Sequence, residues 1–196
     1  MTQKTSIRFS LTQAYVLGLM MMAVGLTLSP FLMGMSQFWL VIVWVVDGIY
    51  NKSFMEKLSR FWHNKPAVLL VAFYLMHVVG LLWTSDFQYA LKDLRVKLPI
   101  LVMPIVVSGM ASLDRKRFDQ VMLVYVLSVF VATIFSSFAY WKHDYEDVRE
   151  ISHFISHIRF CLNIVFCIAI IFWYIATTKA PGSIEKSSPF VKYPVP

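Results

Sequence analysis

Long apolar runs recur along this chain from Ala14 to Thr178, separated by short charged segments. An α-helix needs about 20 consecutive, mostly apolar residues to cross the hydrocarbon layer of a bilayer. Six segments approach or reach that length: residues 14–33, 36–50, 66–83, 98–110, 120–141 and 158–178. The second is short, which suggests a tilted or shallow seat. The fourth is roughly two-thirds of a crossing. It extends backwards through Leu94 if Arg95 and Lys97 reach the interface with their charged ends. Lipid cannot satisfy open backbone groups, so the runs are either helices or the strands of a closed barrel. Barrel strands alternate polar and apolar residues, and these runs do not. The pattern predicts an all-α, polytopic transmembrane bundle of about six spans within residues 1–178. A Pro-rich tail, 179–196, is expected to be disordered.

Composition agrees with the pattern. Hydrophobic residues make up 58% of the chain and charged residues 15%, too apolar a balance for a water-soluble domain. The charges then orient the spans. With the N-terminus in the cytoplasm, twelve of the eighteen basic residues fall on the inner side. These are Lys4 and Arg8, the Lys52, Lys57, Arg60 and Lys65 group, Arg115, Lys116 and Arg117, and Lys179, Lys186 and Lys192. The positive-inside rule therefore favours six crossings with both termini cytoplasmic. The net charge of +7 reflects this sidedness and not nucleic-acid binding. Anionic membrane lipid near the inner loops is the expected partner. The N-terminus has basic residues, an apolar run and a small-x-small triplet at Gly34-Met35-Ser36. Its run is longer than the apolar region of a signal peptide, so an uncleaved first helix is expected.

Several chemistries find no support. Cys161 and Cys167 lie in the last span without a CxxC or an extracellular cysteine framework, which points to packing. There is no Walker A motif, no Rossmann glycine fingerprint and no HExxH. No cofactor or metal is expected.

Candidate chemistry sits on the outer face. Within residues 82–99, Ser85 is placed to cap a helix and Gln88 to complete a capping box. Phe87, Ala90, Leu91 and Leu94 repeat at helical spacing, with Lys92 and Arg95 on a more polar face. The expectation is an interfacial helix leading into the fourth span. Arg95 and Lys97 then either meet a lipid diphosphate or simply anchor a connector to phospholipid head groups. Within residues 142–160, Ser156 is placed to cap the last helix and Arg159 falls in its first turn. A cation there opposes the helix dipole, which suggests an anionic ligand, a loop carboxylate or a lipid phosphate as its partner. Arginine suits bidentate binding of phosphate oxygens. His157 is placed to join it as a hydrogen-bonding group or weak acid or base. The alternative is that both residues only mark the water–lipid boundary. His153 falls near His157 if the helix begins sooner, yet two histidines without a third ligand do not make a metal site.

Polar residues inside the spans are sparse. Asp47 is expected at the cytoplasmic boundary of the second span, and His77 as a buried hydrogen-bonding residue of the third. Asn163 lies within the sixth, where polar groups face protein or a cavity. Gly18, Gly25, Gly80 and Ser128 are expected to permit close helix contacts. Pro99 and Pro104 are expected to bend the fourth span or free carbonyls nearby.

Three stretches carry a resemblance. The first is Gly80-Leu81-Leu82-Trp83-Thr84-Ser85-Asp86, and the second is Ala90-Leu91-Lys92-Asp93-Leu94-Arg95-Val96-Lys97-Leu98-Pro99-Ile100-Leu101. The third is the helix entry Ser156-His157-Ile158-Arg159-Phe160. Over roughly residues 14–178 the chain resembles the N-terminal half of the bacterial O-antigen ligase and polymerase family. The resemblance implies a multi-pass glycosyltransferase of the bacterial inner membrane with a periplasmic active site. Its donor would be a glycan linked through diphosphate to undecaprenol, without a nucleotide sugar. A ligase passes that glycan to a lipid A-core acceptor, and a polymerase passes it to another repeat unit. Arg159 would be a diphosphate-binding position, with Arg95 and Lys97 near the same membrane face. The catalytic base is not identified, and His157 does not inherit that role by being a histidine. Family enzymes continue through further spans and a large periplasmic loop. The chain is therefore expected to be a fragment, a truncated product or one part of a larger assembly with a membrane-protein partner. Two other functions remain open. One is a small transporter or lipid-binding module with His77, Asp47 and the bent fourth span along its path. The other is a non-catalytic remnant.

Overall fold

A computed structural model describes residues 2–142 and 155–178. They form seven α-helices and no strand: α1 (Thr2–Leu28), α2 (Pro30–Asn51), α3 (Phe54–His63), α4 (Lys65–Gly80), α5 (Phe87–Gly109), α6 (Arg115–Lys142) and α7 (His157–Thr178). A single 3₁₀ turn, Leu81–Trp83, extends α4. The all-α expectation holds. Five helical segments are long and apolar enough to cross a membrane: Leu11–Leu28, Pro30–Asn51, Lys65–Trp83, Arg115–Phe138 and His157–Thr177. Many of their large apolar side chains point outward, including Phe31, Leu69, Met76 and Phe172. Such exposure is unfavourable in water and ordinary in lipid, where the tails are as apolar as leucine.

Leaving the short α3 aside, the successive long helices alternate in direction. Ser29 alone separates α1 from α2. Its backbone is extended, its hydroxyl accepts the Leu32 N–H at 3.3 Å, and Pro30 opens the next helix. Proline suits this first position because its fixed φ fits the helix and its absent N–H would be unpaired there anyway. The break therefore falls before residue 30, not after 33, and α2 is a full-length helix. The hairpin is tight: a Cβ on Gly25 would lie 2.5 Å from the Met33 backbone nitrogen. Further down, the Trp39 indole N–H donates to the Ala14 carbonyl at 2.9 Å.

Two apolar clusters share α1. One joins Tyr15 to Leu40, Val43 and Val106, linking α1, α2 and α5. The other joins Ala23 to Tyr125, Val129, Cys167 and Ile170, linking α1, α6 and α7. Cys167 is thus core packing, while Cys161 is exposed. Gly18 and Gly25 sit at close approaches as expected, but a Cβ on Gly80 would meet open space.

The expected fourth span, 98–110, is not among those five segments. The stretch 87–109 is one unbroken helix packed along α4, with the Tyr74 hydroxyl donating to the Leu94 carbonyl at 3.4 Å. It is not a separate in-plane helix followed by a span. Asp86, not Ser85, caps it, accepting the Tyr89 N–H at 3.0 Å. At about 1.5 Å per residue its length suffices for a crossing. Its first half, however, carries Lys92, Asp93, Arg95 and Lys97. Pro99 and Pro104 both lie inside the helix, and the Pro104 carbonyl takes the Ser108 hydroxyl.

Candidate functional site: two opposite ends of the bundle

The contacts fix which helix ends lie together. Tyr174 near the end of α7 donates to Asp119 near the start of α6, so these two helices are antiparallel. Ser128 of α6 donates to the Ala23 carbonyl at 3.4 Å within the α1–α6 packing. Gly109, which ends α5, packs on Trp44 and Lys57 at the end of α2 and within α3. The starts of α5 and α7 therefore lie at one end of the bundle. The α2–α3 junction and the α5–α6 turn lie at the other.

The first end holds the residues singled out from the sequence. His157 and Arg159 occupy the first turn of α7, and both are exposed. Neither has a hydrogen-bond or ion-pair partner among the described residues. Ser156 stands where a helix cap belongs, its carbonyl accepting the Phe160 N–H at 3.0 Å. On α5, Arg95 is exposed, whereas Lys97 is paired with Asp93 at 2.7 Å. Lys97 is thus already neutralised within its own helix, and Arg95 is the freer cation of the two. These cations share an end but not a wall: α5 packs on α4, α3 and α2, and α7 packs on α6 and α1. His153 and the segment 143–154 fall outside the described residues, as does the tail 179–196. Among the described residues no group of three or more His, Cys, Asp or Glu is placed to hold a metal ion.

The opposite end holds a site that the hydropathy pattern does not mark. Residues 54–63, expected as part of a charged connection, form the short amphipathic helix α3. Its Lys57 is 1% exposed and lies 2.8 Å from Asp47 of α2. The same ammonium donates to the Trp44 carbonyl at 2.5 Å and lies 4.9 Å from the centre of the Trp44 ring. Asp47 also accepts from the Asn51 amide at 2.8 Å. It is therefore a paired and largely enclosed carboxylate near the end of α2. Arg60 donates to the Gly109 carbonyl at 3.3 Å, which ties the end of α5 to the same helix. Trp44 Nε1 and Ser53 Oγ are buried here without a hydrogen bond. The clue in the sequence was a lysine and an aspartate ten positions apart across a helix break. No single helix or strand spans both residues, so no period relates them and the local pattern does not mark the pair.

Between the ends, Asn163 turns inward. Its amide nitrogen donates to the Leu26 carbonyl at 3.0 Å, and its amide oxygen accepts the Tyr125 hydroxyl at 2.9 Å. One side chain thereby joins α1, α6 and α7. His77 is half-buried and engages only its own helix, at 2.9 Å from the Phe73 carbonyl. No family model matches the chain, and no curated protein or solved structure does either.

Proposed function

We propose that this chain is the donor-binding membrane part of a glycosyltransferase that takes a glycan from undecaprenyl diphosphate, in the bacterial inner membrane. The glycan passes to a lipid A-core acceptor or to a growing O-antigen chain. The supporting observation is Arg159, an exposed guanidinium in the first turn of an apolar helix. Helix N-termini offer unpaired backbone N–H groups that favour anions, and the guanidinium adds a bidentate donor for phosphate oxygens. Arg95 supplies a second exposed cation at the same end. His157 serves as a hydrogen-bonding neighbour. In the transfer step the acceptor hydroxyl oxygen bonds to the anomeric carbon, and the bond from that carbon to the diphosphate oxygen breaks. Negative charge grows on the departing diphosphate, so a fixed cation there lowers the barrier more than it stabilises the ground state. The base that accepts the hydroxyl proton is not assigned to a residue of this chain.

The path-lining alternative gains nothing from its own residues. Asp47 is neutralised by Lys57, and His77 bonds within its own turn.

The test is binding of undecaprenyl-diphosphate-linked glycan to the chain in nanodiscs. Hydrogen bonds to charged groups contribute about 1.5–3 kcal/mol, so Arg159→Ala weakens binding about tenfold or more. Its unfolding transition stays unchanged, because the side chain is exposed. Equal affinity of the two proteins would remove the assignment.

A further inference from the structure

We infer that α3 is an in-plane helix that seats on the anionic phospholipid of one bilayer leaflet, held at a fixed roll by the Lys57–Asp47 pair. At about 3.6 residues per turn its side chains divide into two sides. Lys57, Phe61, Phe54, Leu58, Trp62 and Met55 follow one another around the first. Ser59, His63, Glu56 and Arg60 occupy the second. Only part of the first side meets protein: Phe61 is buried at 4% exposure, and Lys57 is buried with it. Phe54 also packs on the Trp44 ring, 5.6 Å between centroids; the remainder is open, with Met55 at 81%, Trp62 at 62% and Leu58 at 47% exposure.

Two observations select lipid as what covers that open face. The first is position. Lys52 and Ser53 join α3 to α2, and Asn64 alone separates it from α4. Both neighbours are long and apolar enough to cross a membrane. A helix of ten residues, about 15 Å long, tethered this closely at both ends lies at the level where those helices leave the hydrocarbon. The second is charge. Lys52 and Lys65 flank the helix, and both are exposed. Cations bordering an open apolar stripe that carries a tryptophan are the pattern of an interfacial helix on anionic lipid. Lys57 belongs to the apolar side by position yet is drawn inward by Asp47 and the Trp44 carbonyl. Those two contacts prevent rotation about the helix axis, and so leave Met55, Leu58 and Trp62 facing the bilayer.

The experiment uses the full chain with Cys161→Ala and Cys167→Ala, and one fluorescent label at Met55→Cys or Ser59→Cys. The proteins are placed in nanodiscs of equal parts phosphatidylcholine and phosphatidylglycerol. A lipid nitroxide near the head-group end of the acyl chain is expected to quench the Met55 label several-fold more than aqueous iodide does. The order reverses at Ser59. Nitroxide-labelled phosphatidylglycerol quenches the Met55 label more than its phosphatidylcholine counterpart, and Lys52→Gln with Lys65→Gln brings that ratio towards one. Iodide quenching at Met55 equal to that at Ser59 would overturn the proposal by placing the stripe in water. Protection from both quenchers would overturn it by placing protein or a second copy there. A ratio of one in the parent chain would overturn the preference for anionic lipid.

Discussion

Lys57 and Asp47 form an ion pair 2.8 Å long across the break between α2 and α3, with the lysine almost wholly enclosed. Removing one partner of such a pair leaves an uncompensated charge, and that is the costly event. Lys57→Met is expected to lower stability by about 3 kcal/mol, the lower end of the buried-pair range, because Asp47 keeps some contact with solvent. Asp47→Asn combined with Lys57→Met returns to within about 1 kcal/mol of the parent, since well-packed neutral replacements of buried pairs are often tolerated. Denaturant unfolding of the three variants in detergent checks both values. A double variant as unstable as Lys57→Met would show that the lysine acts through packing and not through charge.

The α1–α2 hairpin depends on glycine at one position and not at another. A Cβ on Gly25 would meet the Met33 backbone nitrogen at 2.5 Å, whereas one on Gly34 meets nothing within 4 Å. Backbone cannot swing aside as a side chain does. Gly25→Ala is therefore expected to destabilise by about 2–3 kcal/mol, the upper part of the overpacking range. Gly34→Ala stays within about 1 kcal/mol of the parent or stabilises, because alanine is the better helix former. The same unfolding assay separates them, and equal effects would contradict the close approach.

Asn163 couples three helices through a single side chain. Polar contacts between membrane helices contribute about 0.6 kcal/mol on average and about 2 at most. Asn163→Ala is expected to cost about 1–2 kcal/mol because it removes bonds to both Leu26 and Tyr125. Tyr125→Phe is expected to cost less. In a double-mutant cycle the two changes combine to less than their sum, since they share the 2.9 Å bond. Full additivity would mean that the bond contributes nothing.

The sequence made some of this fold readable and hid the rest for physical reasons. Apolar run length marks five of the six expected spans, and Asn163 is legible because a polar group in hydrocarbon faces protein or a cavity. The first break was misplaced by a few residues because hydropathy barely changes across Ser29 and Pro30, although the cap and the proline mark it. Ser85 and its neighbour Asp86 are both good capping residues, and only geometry selects Asp86 as the cap of α5. Helix α3 was hidden by its own lysine. A cation at the edge of the apolar side reads as part of the polar face, and only its partner on another helix explains why it is buried. Arg95, Lys97 and Arg159 are legible as residue types, but their placement on two different walls of the bundle depends on packing that no local pattern encodes.

The arrangement of the two ends is tested most directly by labelling single cysteines with a membrane-impermeant thiol reagent on intact cells, in the chain carrying Cys161→Ala and Cys167→Ala. Ser85→Cys and Arg159→Cys are expected to react from outside. Glu56→Cys and Asp114→Cys are expected to react only after the membrane is permeabilised, which for Asp114 is the outcome expected of an α5 that crosses. Arg159→Cys reacting only after permeabilisation, or Ser85→Cys and Arg159→Cys reacting from opposite sides, would contradict the account.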